Sequence, residues 1–383
     1  MIELIKVFLK LGLIAFGGPA AHIAMFEEEI VTKRKWMSRE HFLDLVGATN
    51  LIPGPNSTEM AMHCGYHKAG ILGALVSGLS FMFPAVMITG IISYFYLLYG
   101  TLPQVEPFLY GIKPAVIVII MNAVVKLGMK AAKGWKLFSI AAVVAFFNII
   151  GVNEIFSILF GGIFGALFLL FSEHKNKLNS FFPLTLISLF NFNSVIQSIE
   201  KAEVSLTKLF LTCLKIGIVW FGSGYILVAY FNGEFVEGLH WLTRQVLLDA
   251  IAVGQFTPGP LLSSATFIGY QISKITGAIL ATAGIVIPSF IFVLILNPLI
   301  PRIRKSIYLS KFLDSVNASA VAVMFVVGIK LGIEILADSL YGINWRTTLI
   351  AVLSAVALLR IKKVNSAYIV LSGALLGYLL ELF

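Results

Sequence analysis

The sequence predicts an all-α polytopic membrane protein with two inverted-topology repeats, about ten transmembrane helices and additional broken or re-entrant helices. Three observations predict this class. The 383 residues are 58% hydrophobic and only 12% charged, whereas about 25% of the residues of a soluble domain are charged. Apolar stretches long enough to span a bilayer recur along the chain. The second half of the chain repeats motifs of the first half in the same order.

Each half of the chain contains six apolar elements. They cover approximately residues 6–26, 41–63, 69–100, 113–130, 135–151, 154–172, 206–231, 246–267, 275–300, 312–332, 345–360 and 364–382. The segment between the halves mixes Phe and Leu with Asn, Ser and a proline, which favours a linker or an interfacial segment over a span. We therefore expect a first repeat over 1–177, a linker or interfacial segment over 178–203, and a second repeat over 204–383.

The two halves share a constant register. An offset of about 205 pairs Trp36 with Trp241 and the Pro-Gly-Pro motif at 53–55 with that at 258–260. Shared apolar composition produces scattered identities, but it does not place a tryptophan and a Pro-Gly-Pro motif at one spacing. The sequence therefore predicts an internal duplication.

Basic residues give the relative orientation of the two copies. The loop after element one carries Lys33, Arg34 and Lys35 in the first copy, whereas its counterpart carries Glu234 and Glu237. Basic loops lie on the cytoplasmic side of a membrane. Corresponding loops are therefore expected on opposite sides, an arrangement typical of secondary transporters, in which one repeat rocks against the other.

The loop after element three of the first copy is poor in Lys and Arg. Two full crossings after the basic loop would return the chain to the basic side, so one of elements two and three does not cross. Element two, residues 41–63, contains the Pro-Gly-Pro motif in its middle. We predict that it is a re-entrant pair of half-helices, which leaves about five crossings in each half.

Elements one and two of both copies are interrupted by glycine and proline. Proline removes a backbone donor and stops a helix, and irregular backbone within a membrane must be buried in protein or line a wet cavity. A half-helix N-terminus attracts anions. We expect the substrate-binding residues to be Gly17, Gly18, Asn50, Pro53, Gly54, Pro55, Asn56, Ser57, Thr58, Gly222, Ser223, Gln255, Pro258, Gly259, Pro260, Ser263 and Ser264. The alternative is simple kinks in packed helices, but four breaks in two symmetric pairs favour a site.

Residues 16–61, FGGPAAHIAMFEEEIVTKRKWMSREHFLDLVGATNLIPGPNSTEMA, closely resemble the chromate ion transporter family. That family shares the FGGP segment, an acidic and basic stretch with a tryptophan, and the PGP motif. The resemblance covers the whole chain, since long members are two tandem homologous domains, although the second copy reads FGSG for FGGP. It implies proton-linked export of chromate, a divalent tetrahedral oxyanion similar to sulfate, conferring chromate resistance at a bacterial inner membrane.

Charged residues within or beside the apolar elements are candidates for charge or proton coupling, because intramembrane charge is costly. They are Glu59, Arg39, Asp44, Lys126, Arg244, Asp249 and Lys330. Alternatives stay open for each type. Glu59 is either a proton carrier or a half-exposed helix residue, and the lysines either attract the anion or snorkel to the interface. The arginines either form Arg–Asp structural pairs or guide anion entry. His22, His63 and His67 are expected to be packed or interfacial residues.

Other classes of protein lack support. The sequence contains no GxxxxGK[ST] phosphate loop, HExxH, GxSxG or Cys/His cluster, so we expect neither an enzyme nor an ATP-driven motor, and no metal or cofactor. The net charge of +9 is an orientation signal and does not predict a nucleic-acid partner. The expected partners are the oxyanion, the lipid bilayer and possible protons, with a homodimer left open. Uptake or exchange of sulfate or another oxyanion, an anion channel and a structural subunit remain alternatives.

Overall fold

The computed structural model describes residues 1–16, 18–49, 52–100, 102–131, 134–173, 204–297, 306–338, 342–361 and 364–381. These residues are almost entirely helical. The exception is an antiparallel ladder in which β1, Ala337–Asp338, pairs with β2, Gly342–Ile343. The predicted all-α class is confirmed, and the segment 178–203 lies outside the described residues.

In its described residues the first repeat contains seven helices, and both broken elements are split as the sequence predicts. They are α1 (Ile2–Ile14), α2 (Pro19–Phe26, continued by a π-helix at Glu27–Lys33), α3 (Arg39–Thr49), α4 (Asn56–Tyr99), α5 (Glu106–Ala131), α6 (Trp135–Ile149) and α7 (Glu154–Glu173). The second repeat follows the same order. Its helices are α8 (Leu206–Val219), α9 (Ile226–Phe231, continued by a π-helix at Asn232–Gly238), α10 (Arg244–Phe256), α11 (Ser263–Leu296), α12 (Ile307–Leu336), α13 (Trp345–Arg360) and α14 (Ser366–Glu381).

The two copies share an unusual kink in their longest helices. In α4 the backbone leaves helical geometry at Ala69 (φ −150°) and Gly70 (φ 62°, ψ −149°). In α11 the same two-residue change occurs at Ser273 (φ −150°) and Lys274 (φ 50°, ψ −142°). Each kink separates a short half-helix, 56–68 or 263–272, from a long membrane-crossing part. Equal backbone geometry at equivalent positions supports the duplication.

Element two of the first copy folds back on itself. The rings of His41, at the start of α3, and His67, at the end of the half-helix 56–68, lie 4.9 Å apart. The Lys68 ammonium lies 5.0 Å from the Trp36 ring, which precedes α3. Both ends of this hairpin therefore lie at one membrane face. We call it the basic face, because Lys33–Lys35 lie beside it.

Element one also folds back. The sequence analysis had counted this element as a full crossing. An ion pair of 2.7 Å joins Glu3, near the start of α1, to Arg34, just after the π-helix. In the second copy, Lys215 of α8 pairs with Glu234, and the Tyr230 hydroxyl donates to the Val219 carbonyl at 2.8 Å. These contacts describe antiparallel half-helices around each break. The total number of crossings stays a prediction.

The hairpins of the two repeats open at opposite faces. The long part of α4 leaves the basic face, and near its far end the Tyr96 hydroxyl donates to Asp249 of α10 at 2.8 Å. The long part of α11 runs the other way, and Asn297 at its end lies 3.2 Å from His63 of the first hairpin. Each hairpin thus meets the far end of the other repeat's long helix, as inverted repeats require.

In the outer layer, helices of each repeat pack against helices of the other repeat. Helices α6 and α7 of the first repeat pack on α12 of the second, while α13 and α14 pack on α5 of the first. At the α5–α14 crossing, Gly111 faces Gly373 and Gly377 so closely that a Cβ at Gly111 would meet their backbone. Small residues allow such close helix contacts in membranes. The two repeats therefore form one interlocked body.

Five of the described helices are long and apolar enough to cross a membrane. They are Asn56–Tyr99, Glu106–Ala131, Glu154–Ser172, Ser263–Ile295 and Ile307–Leu336. Two shorter apolar helices, Trp135–Ile149 and Ser366–Glu381, accompany them. Together with large hydrophobic side chains exposed on the outer surface, these helices confirm a polytopic membrane protein.

Candidate functional site

The broken elements of the two repeats cross each other at the centre of the protein. The Gly54 amide of the first Pro-Gly-Pro motif donates to the Trp220 carbonyl at 2.7 Å. The Gly259 amide of the second motif donates to the Ala15 carbonyl, also at 2.7 Å. Ala15 and Trp220 are the last residues before the breaks in element one. Each motif therefore binds the broken element of the other repeat, and the four breaks form one cluster.

Glycine is required at both crossing points. Gly54 has φ 145° and Gly259 has φ 106°, backbone conformations that other residues rarely adopt. A Cβ at Gly54 would collide with the Glu59 carboxyl group and the Ser289 hydroxyl, and a Cβ at Gly259 would lie 2.8 Å from that of Ala85. The Pro-Gly-Pro motif thus allows the two chains to approach within hydrogen-bond distance.

The four breaks surround a cavity of about 50 Å³. Its lining comes from elements one and two of both repeats, with one residue from α14. The lining residues are Ala15, Gly18, Pro19, His22, Pro55, Asn56, Ser57, Trp220, Ser223, Gly224, Tyr225, Gly254, Gln255, Thr257, Gly259, Pro260, Leu261 and Ser366.

Several half-helices begin at the wall of this cavity. Helix α2 starts at Pro19 and α4 at Asn56, both lining residues, and α11 starts shortly after the lining residues Pro260 and Leu261. The helix dipoles place partial positive charge at these starts. At the start of α11 the amides of Ser263 and Ser264 already donate to the carbonyls of Pro260 and Leu261, so this helix contributes mainly through its dipole. The described lining contains no Lys, Arg, Asp or Glu. The electrostatics therefore suit an anion that is bound by neutral donors.

His22 connects two of the breaks. Its Nε2 lies 3.0 Å from the Ala15 carbonyl and its Nδ1 lies 2.9 Å from the Ser57 hydroxyl. Because a carbonyl can only accept, Nε2 carries the proton, and Ser57 donates to Nδ1. The ring also lies edge-on to Phe81, with centroids 5.7 Å apart. His22 thus fixes the first half-helix of the α4 hairpin against the break in element one.

The structure brings eight of the predicted binding residues to the cavity wall. These are Gly18, Pro55, Asn56, Ser57, Ser223, Gln255, Gly259 and Pro260. Others lie next to the wall without lining it, namely Pro53, Gly54, Thr58, Gly222, Pro258, Ser263 and Ser264. Gly17 and Asn50 lie outside the described residues. The clustering follows from the crossed breaks, while substrate binding by these residues stays a prediction.

Sequence reasoning missed four polar residues of the lining: His22, Tyr225, Thr257 and Ser366. The first three lie within seven residues of a break, so proximity to the breaks was a usable signal. The Tyr225 hydroxyl lies 3.5 Å from the Gln255 side-chain oxygen, which places both groups on one wall. Ser366 begins α14 and has no nearby break, so only the packing of α14 reveals it.

Glu59 is fully buried, which excludes the alternative of a half-exposed helix residue. Both of its carboxyl oxygens have no hydrogen-bond partner among the described residues. The carboxyl group packs against Gly54 next to the Ser289 hydroxyl. That hydroxyl also has no hydrogen-bond partner among the described residues. Removing an ionised carboxylate from water without a partner costs several kcal/mol. This surrounding therefore accommodates the protonated form of Glu59.

The Arg–Asp pair, one of the two alternatives for the arginines, does not form in the second copy. Arg244 pairs with Glu237 at 3.0 Å and with Glu334 at 2.8 Å, whereas Asp249 is buried and accepts from Tyr96. Arginine extends far enough to reach whichever carboxylates the neighbouring helices present, so spacing along one helix did not identify its partner. In the first copy, Arg39 pairs with Glu27 at 2.8 Å and is 74% exposed.

The remaining predicted charges lie away from the cavity. Lys126 is exposed near the end of α5, and Lys330 is partly buried near the end of α12. Asp44 is partly buried on α3. Two intramembrane charges that the sequence did not single out are Glu154, which is buried against Gly233, and Lys113, which lies near Asp249. None of these five residues lines the cavity.

Two inverted repeats whose broken half-helices meet in a central polar cavity define a helical membrane transporter. Comparison with known proteins identifies its family. The model of the chromate transporter family matches residues 2–166 and again residues 207–378. The chain belongs to the chromate transporter family, and each of its repeats matches the family model separately.

Individual relatives are similar over most of their length. The probable chromate transport protein of Synechococcus elongatus is 32% identical, over 88% of this chain and 86% of the relative. The chromate transport protein of Pseudomonas aeruginosa is 28% identical, and that of Cupriavidus metallidurans is 27% identical, each over 98% of this chain and 92% of the relative. No solved structure matches this chain.

Proposed function

We propose that this protein exports chromate, or a related tetrahedral oxyanion, across a bacterial inner membrane by proton-coupled alternating access. The observation that carries the proposal is the central cavity, where half-helix starts from both repeats converge and the described wall has no charged residue. The chromate transport names of the relatives support the choice of substrate.

The neutral wall suits transport as well as binding. Amides at the half-helix starts and the side chains of Ser223, Tyr225, Gln255 and Ser366 replace part of the water shell of the anion. Each such donor contributes modestly, about 1 kcal/mol net per hydrogen bond. A fixed lysine or arginine would hold the dianion more tightly and slow its release. The site is therefore suited to an anion that must leave again.

We assign the coupled proton to Glu59. An ionised Glu59 beneath Gly54 would repel a dianion in the adjacent cavity, so proton binding and chromate binding promote each other. Chromate carries a charge of −2 and the proton that travels with it carries +1, so each transport cycle moves a net charge of −1. The net charge of −1 is driven outward by an inside-negative membrane potential, which supplies about 2.3 kcal/mol per charge for each 100 mV.

Alternating access requires a moving unit that the interlocked outer helices leave free. Because α6 and α7 pack on α12 while α13 and α14 pack on α5, rocking of the complete repeats would break these contacts. We propose that the crossed hairpins move against the outer helices, with the kinks at Gly70 and Lys274 as hinges. These kinks are the points where each hairpin joins its long helix.

The test is chromate flux in vesicles that contain the purified protein, with and without a pH gradient and with a dye that reports internal pH. We expect saturable chromate transport that sulfate inhibits by competition, with protons moving in the same direction. Glu59→Gln should remove the proton flux, whereas Glu40→Gln, an exposed carboxyl on α3, should not. If neither chromate nor sulfate moves, the proposed substrate class is wrong. A current that does not saturate would indicate a channel.

A further inference from the structure

We propose that His67, His63 and Glu59 form a proton path from the basic face to the central site. This inference rests on the proposed proton coupling and names the route by which Glu59 exchanges its proton. The three residues lie four positions apart on the half-helix 56–68. Residues four apart share one helix face, with Cβ atoms about 5–6 Å apart. They therefore form a continuous row from the membrane surface to the Pro-Gly-Pro motif.

Burial increases along this row toward the centre of the protein. His67 is exposed and its ring lies 4.9 Å from that of His41 at the mouth of the hairpin. His63, one turn deeper, is 1% exposed, and Glu59, one turn deeper again, is 0% exposed. Titratable side chains are rare in buried apolar surroundings, so two in succession on one face indicate a function.

His63 has the hydrogen-bonding pattern of a proton relay. Its Nδ1 lies 3.2 Å from Asn297 Oδ1. Since this oxygen only accepts, Nδ1 carries a proton and Nε2 has a free lone pair. Nε2 is buried and has no partner among the described residues, and the same holds for both Glu59 oxygens. A packed structural histidine normally satisfies both ring nitrogens, as His22 does with Ala15 and Ser57.

The transfer conserves protons at each step. His67 takes a proton from water at the basic face and passes it inward through an intervening water. His63 accepts it at Nε2 and becomes an imidazolium while Nδ1 keeps its bond to Asn297. His63 then releases the Nε2 proton through a second intervening water to a Glu59 carboxylate oxygen, since no hydrogen bond joins the two side chains, and returns to the neutral tautomer. Glu59 ends as a neutral carboxylic acid, and one proton has moved from solvent to the site.

The charges around the row are concentrated at its outer end. His41 of α3 faces both His63 and His67, and Lys68 lies beside His67. The Trp36 backbone carbonyl accepts a hydrogen bond from His67. At the inner end, neither carboxyl oxygen of Glu59 has a hydrogen-bond partner among the described residues. With no partner to stabilise its ionised form, the buried carboxyl group is more stable when protonated, so Glu59 can hold the proton.

The second repeat has no such row. Counting back from its kink, the equivalent positions are Ser263, Phe267 and Gln271, none of which titrates in this range. Phe267 packs against Tyr96 with ring centroids 5.0 Å apart. The inverted pseudo-symmetry is thus broken in the residues that would carry protons. The path connects the central site with the basic face and has no equivalent leading to the opposite face.

The experiment measures chromate-linked proton flux in vesicles for the wild type, His63→Gln, His67→Gln and the exposed control His240→Gln. Glutamine keeps a hydrogen-bonding side chain but cannot relay a proton. We expect His63→Gln to slow proton-coupled transport by at least about tenfold, since a positioned acid or base contributes about 10²–10⁴ to proton transfer. Exchange of internal for external chromate, which needs no net proton transfer, should stay within about twofold of the wild-type rate by the same reasoning.

His67→Gln tests the exposed end of the path, where a folding defect is not expected. Its proton flux should fall by about threefold or more, less than for His63→Gln, because water reaches this position directly. Normal proton flux in both variants, with Glu59→Gln uncoupled, would overturn the path and leave the proposed function intact. A wild-type protein that moves chromate without protons would instead refute the coupling itself. Loss of exchange together with proton flux in His63→Gln would show a structural role and also overturn the path.

Discussion

A negative charge placed in the cavity tests the site directly. The substitution Gln255→Glu keeps the size of the side chain and adds one negative charge at the wall. The Gln255 oxygen lies 3.5 Å from the Tyr225 hydroxyl, so an anion held by this wall lies within hydrogen-bond range of the new carboxylate. At about 4 Å, two unit charges repel by about 1 kcal/mol in water and by about 4 kcal/mol at an effective dielectric constant of 20.

Chromate is a dianion, which doubles these values to about 2–8 kcal/mol. The lower limit corresponds to about a thirtyfold weakening, because 1.4 kcal/mol is a factor of ten. We therefore expect the KM for chromate in reconstituted vesicles to rise at least about thirtyfold in Gln255→Glu. The uptake of radiolabelled or spectroscopically detected chromate at a series of concentrations gives this KM.

The matched control is Gln245→Glu, the same change on the same helix at an exposed position. Ten residues along α10 separate the two sites by about 15 Å, which exceeds the Debye length of about 8 Å at physiological salt. Its KM should stay within about twofold of the wild-type value. If Gln255→Glu folds normally and keeps the wild-type KM, the anion does not bind at this wall and the reasoning fails.

Three further predictions concern the scaffold. Lys274 holds a backbone conformation that favours glycine, so Lys274→Gly should raise the free energy of unfolding by about 1 kcal/mol, while Gly70→Ala should lower it by about 1–3 kcal/mol. Detergent denaturation measures both, and two unchanged values would remove the strain argument. The Arg34 guanidinium lowers the pKa of Glu29 below its ordinary value of 4.5, so the stability that this pair contributes is present above that value and is lost as the pH falls through the folded-state pKa. Glu29→Gln should therefore show a flatter decline in melting temperature on acidification, and an identical decline would contradict this assignment. Gly111→Val should lower the melting temperature, because its side chain would meet the backbone of α14; an unchanged value would show that the crossing can open.

The sequence was sufficient for the features that depend on local backbone chemistry. The helix ends predicted around Pro53 and Pro258 fall where proline and glycine interrupt helical hydrogen bonding, and the duplication follows from the register of shared motifs. The reversal of loop charge predicted the inverted arrangement, which the contacts of Tyr96 and Asn297 support. Proline breaks, repeated motifs and loop charges are local or periodic sequence features, so they can be recognised without knowledge of the fold.

Features that depend on contacts between distant segments were not predictable in the same way. The bond from Gly54 to Trp220 joins residues in different repeats, and no pattern in either segment specifies it. The antiparallel pairing within element one depends on pairs such as Glu3 with Arg34, which charge counting alone could not assign. Ser366 reaches the cavity only because α14 packs beside the second hairpin.

The position of bound chromate decides whether the central cavity is the substrate site. Chromium scatters anomalously, so a crystal of the protein grown with chromate reports the position of the anion as a peak in an anomalous difference map. We expect one strong peak in the cavity between Ser57 of the first repeat and Gln255 of the second. A cavity without a peak, with chromium bound instead at the exposed basic residues, would contradict it.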